Sequence, residues 1–193
     1  RKRDTLPTVS DGFEFRMIFP YFTDYGDPLL DKDLSSYPEE LFRQLSEVGV
    51  NGIWLHSVLR MMAQPDSVFP GDRLADKRIA GLKRLVSRAA KYGVKVYLYL
   101  NEPRAMDTSY FNGDTARMAL AGPEVSGLRP FCTSQPEVRA WISNSLEQLF
   151  SQVKGLGGVF TITASENFTY CGSRGAAHQH CPLCRERDFA SLA

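Results

Sequence analysis

Short apolar runs alternate along this chain with longer amphipathic segments. The apolar runs lie at about 13–22, 50–59, 94–100 and 157–165, and they are rich in β-branched and aromatic residues. Polar residues or glycines bound each run, which is typical of buried strands. We therefore predict four strands at these positions.

The segments between the runs have the residue spacing of helices. After Pro38, four apolar residues recur at intervals of three or four positions: Leu41, Phe42, Leu45 and Val48. Gly49 follows them, and glycine is the residue best suited to ending a helix. A second helix is predicted over AGLKRLVSRAAKY. A third is predicted after Ser134 and Pro136, which together favour a helix start.

Strands that alternate with amphipathic helices are typical of parallel βαβ units. Such units form either a doubly wound sheet or a β/α barrel. A nucleotide-binding doubly wound sheet carries a glycine-rich turn after its first strand, whereas TDYGDPLLDKDLSSY has neither G-x-G-x-x-G nor a P-loop. We therefore predict an α/β fold that forms the first half of a TIM (β/α)8 barrel. A full barrel has eight strands over roughly 250 residues, so a further segment or a second copy would complete it.

Three regions are predicted from this pattern. Residues 1–12 form an N-terminal linker, residues 13–170 the β/α barrel portion, and residues 171–193 a Cys/His-rich loop with the C-terminal segment. Hydrophobic residues make up 43% of the chain, enough for a single packed core.

Polar residues follow the predicted strands at their carboxyl ends. Asn101 and Glu102 follow the third strand, and Glu166 and Asn167 follow the fourth. Parallel strands end at one rim, where barrel enzymes build their active sites. Two carboxylates on that rim suit cleavage of a glycosidic bond, because one of them protonates the leaving oxygen. The predicted catalytic residues are Glu166 and Glu102, and the predicted substrate-binding residues are Asn101, Asn167, His56, Asp24, Tyr21 and Tyr99.

Each of these residues also has a structural interpretation. A glutamate after a strand is commonly a solvated loop residue or a helix cap. His56 lies on an otherwise apolar strand, where a histidine often donates to a backbone carbonyl. The tyrosines are suited equally to the core and to stacking against sugar rings.

Cysteine and histidine are concentrated near the C-terminus. Cys171, Cys181 and Cys184 occur with His178 and His180, and Cys181 and Cys184 form a C-x-x-C pair. Three thiolates and one imidazole suit a structural zinc ion, for which we predict His180 as the fourth ligand. A redox pair or a disulfide staple is the alternative. Catalysis by two carboxylates requires no cofactor, so zinc would hold the loop that follows Glu166.

Charge and hydropathy limit the partners of the chain. Lys and Arg outnumber Asp and Glu by 23 to 22, which gives no electrostatic basis for binding nucleic acid. No apolar run approaches the roughly 18 residues of a membrane span. The expected partner is an oligosaccharide or glycoconjugate, and an extracellular or periplasmic location is favoured because polysaccharides usually lie outside cells.

The chain resembles the barrel of the β-N-acetylhexosaminidase family of glycoside hydrolases over about residues 11–170. Four segments carry the resemblance, as that family's first four strands: DGFEFRMIFPYF, VNGIWLHSVL, GVKVYLYLNEP and GGVFTITASEN. In the family, the fourth strand ends in an acidic pair whose second member is the general acid. The resemblance therefore implies that Glu166 is the acid.

The chain departs from that family's pattern at two positions. Ser165 lies where the family has an aspartate that orients the substrate acetamido group, and Asp11 lies where it has an arginine that binds the terminal sugar. The Asn-Glu-Pro sequence at 101–103 is also similar to the motif of a large retaining-glycosidase clan. In that clan the motif lies on strand four, whereas here it follows the third predicted strand. If that strand corresponds to the clan's strand four, the resemblance implies that Glu102 is a catalytic residue.

Three functional hypotheses follow. The first is a carbohydrate-active hydrolase with Glu166 as general acid. The second is a non-catalytic barrel fragment that binds sugar or protein, since Ser165 and Asp11 replace residues of the family's machinery. The third is an interaction module that is stabilised by zinc and that binds its partner through the Cys/His-rich loop.

Overall fold

The computed structural model describes residues 12–19, 26–162 and 166–188. Its strands are β1 (Met17–Ile18), β2 (Gly52–Ser57), β3 (Lys95–Leu100), β4 (Met106–Asp107), β5 (Leu128–Arg129) and β6 (Gly158–Thr161). Its helices are α1 (Glu39–Glu47), α2 (Leu59–Met62), α3 (Ala75–Ala90), α4 (Thr115–Leu120) and α5 (Pro136–Gln152). Short 3-10 helices span Thr108–Tyr110 and Gly175–His180.

The larger sheet contains β1, β2, β3 and β6, and their order in space is their order along the chain. β1 and β2 pair in parallel, with Met17 opposite Gly52 and Ile18 opposite Ile53. Each later strand is added on the same side of the sheet, whereas the strand order of a doubly wound sheet reverses. The predicted α/β class, with a parallel four-stranded sheet of βαβ units, is confirmed.

The four strands of the larger sheet lie within the four predicted apolar runs, whereas β4 and β5 lie outside them and were not predicted. β2 and β3 occupy most of theirs, whereas β1 and β6 are shorter than the runs that contain them. Residues 20–22 and 163–165 of those runs lie outside the described residues.

The chain divides into two compact units. Among the described residues, unit 1 comprises 12–19, 26–56, 77–99 and 152–159, and unit 2 comprises 57–76, 100–151, 160–162 and 166–188.

Unit 1 has a hydrophobic core formed by two helices and two strands. Its most deeply buried side chains include Phe42 from α1, Leu82 and Leu85 from α3, Ile53 from β2, and Val96 and Leu98 from β3. Aromatic residues occupy the alternate positions of the same strands, because successive strand residues point to opposite faces. Trp54 stacks on Phe19 at 4.0 Å between ring centroids.

Unit 2 contains a two-stranded antiparallel sheet and an aromatic core. β4 pairs with β5, with Met106 opposite Arg129. Phe111, Phe131, Leu120 and Val138 form a buried cluster beside this sheet. Among the described helices, none has both the length and the apolar character needed to cross a bilayer.

Helix α3 approaches the backbone of the 26–34 loop closely at Gly81. A Cβ atom at this position would lie 1.9 Å from the carbonyl oxygen of Leu29. On the same helix, Arg78 forms an ion pair with Asp27 of that loop at 2.6 Å. The absence of a side chain at Gly81 therefore allows the helix and the loop to pack together.

We expect Gly81→Ala to lower the free energy of unfolding by about 2 kcal/mol, because the added methyl group must displace backbone rather than a flexible side chain. Urea denaturation measures this change. The matched control is Ser87→Ala, at an exposed position of the same helix, which should leave stability unchanged or slightly higher. Equal stability of the Gly81→Ala variant and the parent would contradict the close approach.

Candidate functional site

The predicted strand-end residues of unit 1 fall partly within the described residues. Tyr21 and Asp24 lie outside them. His56 is exposed near the end of β2, and its ring stacks on Tyr99 at 5.1 Å between centroids and an interplanar angle of 29°. Tyr99 itself is largely buried in β3. These two rings form one contact surface within unit 1.

In unit 2, side chains that follow β3 and β6 are joined by amide hydrogen bonds. Asn101 is fully buried, and its Nδ2 donates to the carbonyl oxygen of Ile162 at 2.7 Å. Its Oδ1 accepts a hydrogen bond from Asn167 Nδ2 at 3.1 Å. Asn167 Oδ1 in turn accepts from Arg104 Nη1 at 2.9 Å. These bonds compensate the burial of the amides and hold Asn167 in one orientation.

Glu166 is anchored through its backbone, and its side chain is exposed. The guanidinium of Arg174 donates to the Glu166 carbonyl oxygen. The Glu166 carboxylate lies 3.5 Å from Asn167 Nδ2, at the limit of a hydrogen bond. The carboxylate is therefore accessible to water or to a ligand, whereas the peptide that carries it is held in place.

Glu102 has a different environment from Glu166. Its Oε1 accepts from the Leu59 N–H at 2.6 Å and its Oε2 from the Arg104 N–H at 3.0 Å, so both carboxylate oxygens are occupied by backbone donors. Removal from water raises the pKa of Glu102, and these two hydrogen bonds oppose the rise. Because the pKa is raised in the folded state, the carboxyl's contribution to stability is present at low pH and falls as pH rises through that value.

The strand-end cluster of unit 2 is therefore Asn101, Glu102, Arg104, Glu166, Asn167 and Arg174. The sequence predicted four of these residues. It gave no signal for Arg104 or Arg174, because an arginine in a polar loop is ordinarily a solvated surface residue.

We expect Glu102→Ala to lower the free energy of unfolding by about 2–4 kcal/mol, because two backbone N–H groups lose their acceptors. Glu102→Gln should cost less, since one acceptor oxygen remains. Chemical denaturation at neutral pH measures both changes, with Glu147→Ala on the exposed surface of α5 as the control. Unchanged stability of Glu102→Ala would show that the carboxylate does not hold the loop.

Four cysteines converge in a second place within unit 2. The Sγ atoms of Cys132, Cys171, Cys181 and Cys184 all lie within 4.8 Å of one another, and all four side chains are buried. We call this set the thiol cluster. Cys132 Sγ lies 3.7 Å from Cys181 Sγ and 3.5 Å from Cys184 Sγ. A tetrahedron of sulfur atoms around zinc, with bonds of about 2.3 Å, has edges of roughly 3.8 Å, so the four thiols could hold a metal ion.

The fourth member of the cluster is a cysteine from a distant part of the chain, whereas the predicted fourth residue was a histidine. The sequence predicted His180 as the fourth ligand, but His180 is exposed and lies outside the cluster. Cys132 is the fourth member of the cluster although it lies 49 residues from Cys181 in the sequence. The total of four cysteines was a signal for it, since four thiols complete a tetrahedral site.

Electrostatics within the thiol cluster favour one thiolate over several. A hydrogen bond from the Cys171 thiol, assisted by the Ser134 N–H, lowers the pKa of Cys132 to about 5. Burial raises the pKa of Cys184 to about 12. The hydrogen bond to Cys132, together with burial, raises the pKa of Cys171 above its usual range. Further thiolates therefore require a cation among them to offset their mutual repulsion.

Neighbouring groups support the thiol cluster from outside. Ser134 Oγ lies 3.2 Å from Cys184 Sγ and accepts a hydrogen bond from Arg187 Nη1 at 2.6 Å. Gly122 lies against Cys171, where a Cβ atom would come within 2.7 Å of the sulfur. A chain of donors directed at a ligand sulfur is the usual support of a metal-binding thiolate.

The fold is similar to that of solved TIM-barrel glycoside hydrolases. An α-amylase from Geobacillus thermoleovorans, complexed with acarbose, matches with a TM-score of 0.54 and 16% identity over 77% of this chain and 40% of that one. A cyclic α-maltosyl-(1→6)-maltose hydrolase from Arthrobacter globiformis matches with a TM-score of 0.53 and 12% identity over 77% of this chain and 44% of that one. The chain thus spans less than half the length of these proteins.

A β-N-acetylhexosaminidase structure matches with a TM-score of 0.43 and 13% identity, over 90% of this chain and 39% of that one. No protein-family model and no curated protein matches the sequence. At these identities the similarity concerns the fold alone.

Proposed function

We propose that this chain is part of a carbohydrate-active hydrolase in which Glu166 donates a proton to the departing glycosidic oxygen. The observation that carries this proposal is the combination of an exposed Glu166 carboxylate with an anchored backbone. A general acid must reach the substrate and must be held in a defined position while it does so. Glu166 meets both conditions, and it follows β6 in the sequence, as the active-site residues of barrel enzymes follow their strands.

The other members of the strand-end cluster have supporting roles in this proposal. Asn167 is adjacent to the acid, and its amide could hydrogen-bond a sugar hydroxyl if the contact to Asn101 opened. Glu102 accepts one backbone hydrogen bond on each oxygen, which holds the loop and leaves one lone pair on each oxygen. Glu102 remains our candidate for the second carboxylate, which would stabilise the cationic sugar.

The resemblance of GGVFTITASEN to the fourth strand of the β-N-acetylhexosaminidases supports the assignment of Glu166 as the acid. Ser165 replaces the aspartate with which those enzymes orient an acetamido group, and a hydroxyl cannot supply that negative charge. We therefore propose hydrolysis of a glycosidic bond without assigning the sugar.

We expect Glu166→Gln to lower the hydrolysis rate by about 10²–10⁴-fold on aryl glycosides with poor leaving groups, which need protonation. Hydrolysis of 2,4-dinitrophenyl glycosides should decrease little, since that leaving group departs without a proton. Steady-state kinetics on a panel of both kinds of substrate measures the difference, with Glu147→Gln as the control.

Two results would reject the role of Glu166. One is unchanged hydrolysis of the poor substrates by Glu166→Gln. The other is an equal loss on both kinds of substrate, which would indicate general damage to the site. Sugar binding by the parent protein without turnover of any substrate would instead favour a non-catalytic binding protein.

We propose further that the thiol cluster binds a structural zinc ion. Four protein thiolates close the coordination sphere, which leaves no position for substrate and distinguishes a structural from a catalytic zinc site. The sulfur separations of 3.5 and 3.7 Å are close to a zinc tetrahedron and much longer than the roughly 2.05 Å of a disulfide bond. The bound ion would link the start of α5 to the segment that follows Glu166.

We expect one zinc ion per chain by mass spectrometry of the purified protein. Cys132→Ser should lower zinc affinity more than the 10–100-fold typical of outer-shell changes, because it removes a ligand. His180→Ala is the matched control and should retain full occupancy. Zinc loss in the histidine variant, with occupancy retained in Cys132→Ser, would contradict the four-thiol site. If the protein contains no metal and none of its four cysteines reacts with a thiol reagent, the cysteines form disulfide bonds instead.

A further inference from the structure

Unit 2 contains a cavity that shares no lining residue with the strand-end cluster or the thiol cluster. It has a volume of about 480 Å³ and lies between the 63–69 loop and helix α5. Small-molecule sites in proteins have volumes of about 300–1,000 Å³. The cavity is therefore large enough for a ligand of one or more sugar rings.

Two aromatic rings form the apolar part of this cavity. Trp141 and Phe69 stack almost flat, with 5.2 Å between centroids and an interplanar angle of 8°. Phe131, which is fully buried, packs against Phe69 and fixes the pair from the protein side. Trp141 remains partly exposed and lines the cavity. Because Trp141 is held by its stacking on Phe69 and is only partly covered, it offers apolar surface to a ligand at low entropic cost.

Uncharged amides form much of the polar part. Gln64, Asn144 and Gln148 line the cavity and are exposed. Within the described part of the chain, their side chains make no hydrogen bond to protein groups. Each amide offers two donor hydrogens and an acceptor oxygen. Adjacent sugar hydroxyls both donate and accept, so they match such groups better than a purely acidic or purely basic ligand does.

The charged lining residues are both acidic. Asp66 and Glu137 line the cavity, and no lysine or arginine does. Asp66 Oδ1 accepts from the N–H groups of Val68 and Phe69 at 2.7 and 2.6 Å, which holds the loop that carries the aromatic ring. A lining of negative charge without a cation disfavours phosphorylated, sulfated or uronic sugars.

We propose that this cavity is a binding subsite for neutral oligosaccharides. The pyranose ring stacks its apolar C–H face on Trp141, and its hydroxyls hydrogen-bond to Asn144 and Gln148 on the exposed face of α5. The subsite is independent of Glu166, so it can bind sugar whether or not the strand-end cluster performs hydrolysis. It would retain a polymeric substrate on unit 2.

The chain has two tryptophans, which permits a selective optical test. In a Trp54→Phe background, Trp141 is the remaining indole and reports on its own surroundings. The protein is titrated with maltohexaose, cellohexaose, chitohexaose and hexagalacturonate, and isothermal calorimetry on the parent chain repeats each titration. We expect at least one neutral hexasaccharide to change Trp141 emission in a saturable manner, and hexagalacturonate to leave it unchanged.

The double variant Asn144→Ala/Gln148→Ala should weaken that binding by about 30-fold, which corresponds to two hydrogen bonds of about 1 kcal/mol each. The matched control is Ser143→Ala/Glu147→Ala, which has the same spacing on the same helix at positions that do not line the cavity. Both pairs place alanine at exposed helical positions, so the helix is retained.

Three results would overturn the subsite. The first is the absence of both an emission change and a heat of binding with every neutral hexasaccharide. The second is that the test pair and the control pair weaken sugar binding equally. The third is that the protein binds hexagalacturonate in preference to the neutral sugars. Glu166→Gln separates this inference from the hydrolase proposal. That variant should keep the Trp141 response in full, whereas loss of the response in Glu166→Gln would assign the bound sugar to the strand-end cluster.

Discussion

The hydrogen bond between the side chains of Asn167 and Asn101 is the interaction on which the candidate site depends. It joins the residue that follows β3 to a residue beyond the end of β6, and Asn101 also donates to the backbone of Ile162. A buried amide with unsatisfied groups costs several times more free energy than a satisfied one gains. The two strand ends are therefore constrained to one relative geometry, and Glu166 is positioned by its neighbour Asn167 and by the Arg174 hydrogen bond to its backbone carbonyl rather than by contacts of its own carboxylate.

The segment from Glu166 to Cys184 connects the strand-end cluster to the thiol cluster. Its first part is held by the Ala105 N–H, which donates to the Phe168 carbonyl at 2.8 Å, and by Ser173 Oγ, which accepts from the Thr169 N–H at 2.9 Å. Three of the four thiols follow within the same segment. A metal ion bound to the thiol cluster would restrict the C-terminal end of the segment, as the side-chain hydrogen bonds of Asn167 restrict its N-terminal end.

The fold could be predicted from the sequence because hydrophobic spacing is a local property. The four strands of the larger sheet and the start of α5 at Pro136 follow directly from this spacing. Contacts between distant residues could not be predicted in the same way. Ser134 was predicted to favour a helix start, yet its hydroxyl lies beside Cys184 Sγ. Cys132 was outside the predicted metal site because nothing in its own neighbourhood marks it as a ligand.

Glu102 and Glu166 show why residue type at a strand end does not determine the environment of a carboxylate. Both are glutamates near the carboxyl ends of parallel strands, so the sequence pattern predicted a catalytic role for both. Backbone donors occupy both oxygens of Glu102, whereas the carboxylate of Glu166 is exposed. Each carboxylate oxygen has two lone pairs, so one backbone donor per oxygen leaves Glu102 a second acceptor site on each. The two glutamates therefore differ in exposure and in the backbone donors that hold them, and both properties depend on loop conformation, which residue type alone does not determine.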